Sequence, residues 1–140
     1  MRPGTIPVAL VAGLGLAAEL ATRECDERAT RCRALRERLL EALAPLGPAM
    51  NGDTERSLPH ILNLSFPGLD SDQVMEAWRG LAAVSDGAAC TTQTRTCSHV
   101  LAAMGLPEAR IQGAVRLSFC HLTPEPDLQA MAAALRETRA

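Results

Sequence analysis

Residues 85–100 read SDGAACTTQTRTCSHV, between the apolar runs LAAV at 81–84 and VLAAM at 100–104. The stretch holds a glycine, four threonines, a glutamine, an arginine and two cysteines, but no large aliphatic residue before Val100. Short polar side chains that bond their own backbone favour turns and irregular chain over helix or strand. The reading is therefore a loop, with Cys90 as an exposed thiol upon it. Free cysteine behaves as a small hydrophobe and is ordinarily buried, so a thiol in a polar loop asks for a chemical reason. On the near side, residues 82–85 are expected to form a short strand that delivers the chain to the loop. On the far side, Ser98 is placed to cap a brief helix over 99–104, which Gly105 and Pro107 end.

Working outward, the N-terminal part predicts one long helix. Thr5 is placed as its N-cap and Pro7 in its first turn, where a missing N–H costs nothing. The pattern runs to Leu43, with Cys25, Cys32, Leu35, Leu39 and Leu43 on one face. Cys25 and Cys32 read as helix core, and two turns of separation are too many for a disulfide between them. Gly13 and Gly15 mark a bend or a close packing contact. Pro45, Gly47 and Pro48 end the helix, and NGD at 51–53 reads as a turn.

HILNLSF at 60–66 alternates Ile61, Asn63 and Ser65 against Leu62, Leu64 and Phe66, a strand with one buried face. After the break at Pro67 and Gly68, Asp70 or Ser71 caps a short helix to residue 79 with Val74, Met75 and Trp78 inward. Residues 108–112 add a helical turn. AVRLSF at 114–119 alternates again, setting Val115, Leu117 and Phe119 against Arg116 and Ser118. An arginine between apolar strand neighbours is costly unless it serves an anion; the alternative is the wet face of an edge strand. Thr123 with Pro124 starts the last helix, where Leu128, Met131, Ala132 and Leu135 form the inward stripe. The order α-β-α-β-α-β-α over residues 1–140 implies one α/β (α+β) domain, a small sheet packed by helices behind a long N-terminal helix.

Composition narrows the chemistry. A net charge of −2 gives no support for direct nucleic-acid or anionic-membrane binding. All fourteen basic residues are arginine. Without lysine, this polypeptide alone cannot complete chemistry that needs a lysine Schiff base. Five cysteines, an odd number without paired spacings, indicate a reducing compartment rather than a secreted disulfide framework, and so the cytoplasm. The apolar run at 6–18 lacks a basic leader pattern and is too short for a membrane span.

Cys90 is open to several roles. As a nucleophile it needs access and thiolate character, and only Arg95 and His99 offer help nearby in sequence. Five residues from Ser85 give it a reach of roughly 16–18 Å. Alternatively, Cys90, Cys97, His99, Cys120 and His121 offer donors for a non-catalytic metal-binding or interaction module, although their spacings differ from paired-cysteine zinc knuckles. A Cys90–Cys97 redox disulfide is a further option. His60, His99 and His121 each read as structural.

The segment AVSDGAACT, followed seven residues later by SHVLAAMGL, resembles the active-site loop of NifS/IscS-like cysteine desulfurases with a long catalytic loop, in the aminotransferase class V family. MRPGTIPV at 1–8, NGD at 51–53, NLSF at 63–66 and VRLS at 115–118 match later landmarks in order, so the likeness spans the chain. It implies the C-terminal small domain of a fold-type I pyridoxal-phosphate enzyme acting on L-cysteine. Cys90 would attack the sulfur of a cysteine–pyridoxal adduct, hold it as a persulfide and deliver it to a sulfur-acceptor protein, for instance in iron–sulfur cluster assembly. Arg116 would bind the substrate carboxylate. Thr5 would hydrogen-bond the phosphate of pyridoxal 5'-phosphate in the opposite subunit of a homodimer. The family's cofactor lysine lies upstream of the matched region, so the resemblance implies a fragment or half of a split enzyme, inactive alone. SFCHLT at 118–123 departs from the usual SLGRFT, and Cys97 stands where proline is common. The SDGAAC variant is similar to the desulfurases of DNA phosphorothioation.

Overall fold

A computed structural model describes residues 4–86 and 98–140. Four antiparallel strands form one sheet in the order β1-β2-β4-β3: β1 (Ala49–Met50), β2 (Ile61–Ser65), β3 (Ser85–Asp86) and β4 (Ala114–Ser118). The helices are α1 (Val8–Leu43), α2 (Ser71–Ala77), α3 (His99–Ala103), α4 (Glu108–Gln112) and α5 (Leu128–Arg139). A mixed α/β fold with a small sheet and a long first helix is what the sequence implied.

Period-two alternation in β2 and β4 sets the two faces of the sheet. Leu62, Leu64, Val115 and Leu117 point into the core, where they meet Leu35, Leu39 and Leu43 of α1, Val74 of α2 and Met131 and Leu135 of α5. Each such side chain withdrawn from water contributes about 1.5–3 kcal/mol. Trp78 closes one end. Its ring packs edge-on to Phe66 at 5.7 Å, and its indole N–H donates to the Met131 carbonyl at 3.0 Å. Burying the indole costs little because that donor is satisfied.

Local signals set the short elements. Asp70 accepts from the Gln73 amide while the Gln73 side chain accepts from the Asp70 amide, a reciprocal cap that starts α2. Ser98 accepts from Leu101 N and starts α3. Gly47, at φ 64°, ends a 3-10 turn after α1 in the left-handed region.

Several expectations are corrected. Thr5 is not the N-cap of α1; Pro7 takes that position, with no side-chain cap. Cys32 is buried but Cys25 is exposed, because the sheet supports only the C-terminal part of α1. A methyl group added at Gly13 or Gly15 would meet nothing within 4 Å, and α1 runs through both unbroken, so they make no close contact. The segment after Pro48 is not only a turn, since β1 pairs there with β2. The strand entering the loop is Ser85–Asp86 rather than 82–85. α2 ends at Ala77, short of residue 79. The last helix starts at Leu128 with Asp127 as its cap, accepting from Ala130 N at 2.9 Å, while Thr123 closes a turn on Cys120.

Candidate functional site

β4 is flanked on both sides, by β2 and by β3, and Arg116 sits at its middle. Its Cα partners are Asn63 on β2 and Ser85 on β3. Directly opposed residues in antiparallel strands share a face, so Asn63, Arg116 and Ser85 form a polar row on the side away from the core. Arg116 is therefore exposed on an interior strand, and no burial cost has to be offset. The edge-strand alternative does not hold. Among the described residues Arg116 has no carboxylate within ion-pair distance. Its five donors are presented as a fork suited to a carboxylate.

The strand beneath this row is braced by a buried polar network. Asn51, beyond β1, donates from Nδ2 to Asn63 Oδ1 at 2.8 Å and to Ser65 Oγ at 2.7 Å. Ser65 Oγ in turn donates to the Arg110 carbonyl at 2.6 Å. Arg110 donates to Asn51 Oδ1 through Nε and Nη2, at 3.0 and 2.7 Å, and to the Met50 carbonyl at 2.6 Å. The network ties β1, β2 and α4 together beside Arg116. Arg36 does comparable work from α1: its Nη1 reaches the Leu58 and Ile61 carbonyls at 3.1 and 3.0 Å, and its Nη2 the Ser57 hydroxyl at 2.8 Å. Sequence reasoning missed Arg110 and Arg36 as anchors. Only Arg110's position in a helical turn between Pro107 and Gly113 hinted at confinement.

β3 leads directly into the polar stretch, and Ser98 at the cap of α3 receives the chain after it. Cys90, Arg95 and Cys97 lie outside the described residues. Thr5 is exposed ahead of α1 and forms no hydrogen bond with any described residue, so nothing brings it to Arg116. His99 is exposed at the start of α3, and Cys120 and His121 follow β4. Among the described residues no group of three His, Cys, Asp or Glu is arranged to hold a metal, so the metal-module alternative finds no support there. No helix among them is long and apolar enough to cross a membrane.

Residues 1–131 match the family model described as aminotransferase class-V. The chain belongs to the aminotransferase class-V family. A cysteine desulfurase of Gluconacetobacter diazotrophicus is 41% identical over 131 residues, covering 91% of this chain and 32% of the relative. Cysteine desulfurase IscS of Photorhabdus laumondii is 36% identical over 129 residues with the same coverage. Among solved structures, a NifS-like protein superposes with a TM-score of 0.71 at 30% identity, covering 99% of this chain and 34% of the other. DndA from Streptomyces lividans gives 0.59 at 37% identity, over 85% and 33%. This class-V chain thus spans about a third of the length of the curated relatives it matches. Within the class-V family, its homologues are desulfurases of the IscS and NifS kind.

Proposed function

We propose that this chain is the thiol-bearing, substrate-carboxylate-binding part of a cysteine desulfurase. Cys90 receives sulfur from L-cysteine as a persulfide and passes it to an acceptor protein, and Arg116 holds the carboxylate of the cysteine. The observation that carries the reading is the placement of Arg116: an exposed guanidinium on an interior strand, opposite Ser85, from which the Cys90 stretch departs. A carboxylate seated on Arg116 would lie beside the strand that leads to the sulfur-accepting thiol, and a bidentate pair gives it a fixed orientation.

Pyridoxal 5'-phosphate supplies the electron sink for breaking the carbon–sulfur bond in this reaction class. The residues present do not fit that group by themselves. The chain contains no lysine, and Thr5, assigned to the phosphate by resemblance, stands exposed and unpartnered among the described residues. The cofactor and its lysine therefore belong to another polypeptide region, and the chain alone is inactive toward cysteine. A cytoplasmic homodimer, with Thr5 serving the opposite subunit, is part of the same reading.

The test is reconstitution with a lysine-bearing class-V region loaded with pyridoxal phosphate. Sulfide release from L-cysteine in the presence of a reductant should appear, and Cys90→Ala should abolish it. Sulfide production unchanged in Cys90→Ala would overturn the assignment of the thiol.

A further inference from the structure

A second concentration of reactive groups lies between α1 and the turn that follows β4. It is a recess of about 240 Å³, lined by Arg31, Arg38, Cys120, His121, Thr123 and Glu125 among others. None of these residues belongs to the Arg116 face. Cys120 is exposed, so its sulfur is accessible. The Leu122 amide donates to that sulfur at 3.4 Å and the Thr123 hydroxyl at 3.6 Å. Both interactions favour the thiolate, and the Leu122 amide, followed by the Thr123 hydroxyl, holds the thiol below its ordinary pKa against a smaller opposing effect of desolvation; Arg28 adds a minor attraction.

The wall of the recess carries both signs of charge. Arg38 pairs with Glu125 at 2.6 Å, and Arg31 is drawn to Glu27 at 2.6 Å. From α1, Arg28, Arg31 and Arg38 face the thiol; from its own turn, His121 and Glu125 do. A guanidinium and a carboxylate side by side complement the carboxylate and ammonium of a free amino acid. The volume lies below the ~300–1,000 Å³ of sites for drug-sized ligands, a scale suited to one amino-acid moiety.

We propose that Cys120 is a site of reversible modification by an amino-acid disulfide of the cystine class, whose amino-acid end seats against Arg38 and Glu125. The Cys120 thiolate attacks one sulfur of the disulfide. A new sulfur–sulfur bond forms at Cys120 as the original one breaks, and cysteine thiolate leaves and takes a proton from solvent. Cys120 is oxidised, the departing sulfur is reduced, and cystine is the oxidant. An external thiol reverses the step.

The reduced full chain, incubated with cystine at pH 7 and mapped by peptide mass, tests this. Cys25 is the internal reference: it is exposed on α1, and no described residue donates a hydrogen bond to its sulfur. Cys120 should gain the cysteinyl adduct several-fold faster than Cys25, and dithiothreitol should remove it. With cystamine, which lacks carboxylates, that advantage should shrink. The exposed pair variant Arg38→Gln with Glu125→Gln should bring the cystine and cystamine advantages together, while iodoacetamide still prefers Cys120. Equal rates at Cys120 and Cys25, or a cystine preference untouched in the pair variant, would overturn the proposal. Either result leaves the role of Cys90 to its own test.

Discussion

Arg116 and Asn51 stand on one polar side of the sheet and do opposite work. Arg116 is exposed and without an anion among the described residues, so removing it deprives the fold of almost nothing. Asn51 is buried and satisfies Asn63, Ser65 and Arg110 together. Arg116→Ala should therefore change unfolding stability by no more than about 0.5 kcal/mol, while Asn51→Ala should cost about 1–3 kcal/mol because buried donors and acceptors lose their partners. Urea midpoints of the two variants check this; a larger loss from Arg116→Ala would mean that the arginine is structural. Both residues were visible in the sequence, but only one role was. The alternation around Arg116 revealed its face. The partners of Asn51 include an arginine 59 positions away, and no local pattern announces a contact of that range. Cys25 and Cys32 illustrate the same limit: a spacing of seven puts both on one face, but only tertiary structure decides which one lies over the sheet.

At the level of elements, helices with strong caps were legible and those defined by distant packing were not. Asp70 and Ser98 start their helices as the sequence implied, since a cap bonds only within its own turn. β1 is two residues long and exists through its pairing with β2, so its own sequence carries no alternation to read. The start of α5 was missed because Thr123 hydrogen-bonds the Cys120 amide at 2.8 Å instead of capping a helix. The turn between α4 and β4 gives the sharpest test at this scale. A methyl group on Gly113 would stand 2.6 Å from the Leu69 carbonyl oxygen. That obstacle is backbone, which cannot rotate away as a side chain would. Gly113→Ala should lower stability by about 1–3 kcal/mol through local overpacking, read as a drop in thermal midpoint. An unchanged midpoint would mean that the Leu69 segment yields without loss.

For the molecule as a whole, the fold divides into a packed unit and a projecting helix. From Cys32 onward α1 contributes Leu35, Leu39 and Leu43 to the core, whereas Val8, Leu10, Val11, Leu14 and Leu16 are exposed, Leu10 at 74%. The sequence revealed the length of the helix but not where its support ends, because apolar residues occupy both halves. An isolated helix is marginal in water below about 12–15 residues and owes most of its stability to packing. The N-terminal half has few specific supports: Arg28 pairs with Glu24 at 2.7 Å and Arg31 with Glu27 at 2.6 Å, one turn apart in each case. Pairs of this kind contribute a few tenths of a kcal/mol. Local opening should therefore be inexpensive near Val8 and approach the cost of global unfolding near Leu39. Amide hydrogen exchange should show a gradient along one unbroken helix, with weak protection before Glu24 and strong protection from Cys32 to Leu43. Addition of a partner that covers the exposed leucines should raise protection in the first half and leave the second unchanged. Uniform strong protection along α1 in the chain alone would mean that its apolar half is already covered in solution, by association between copies.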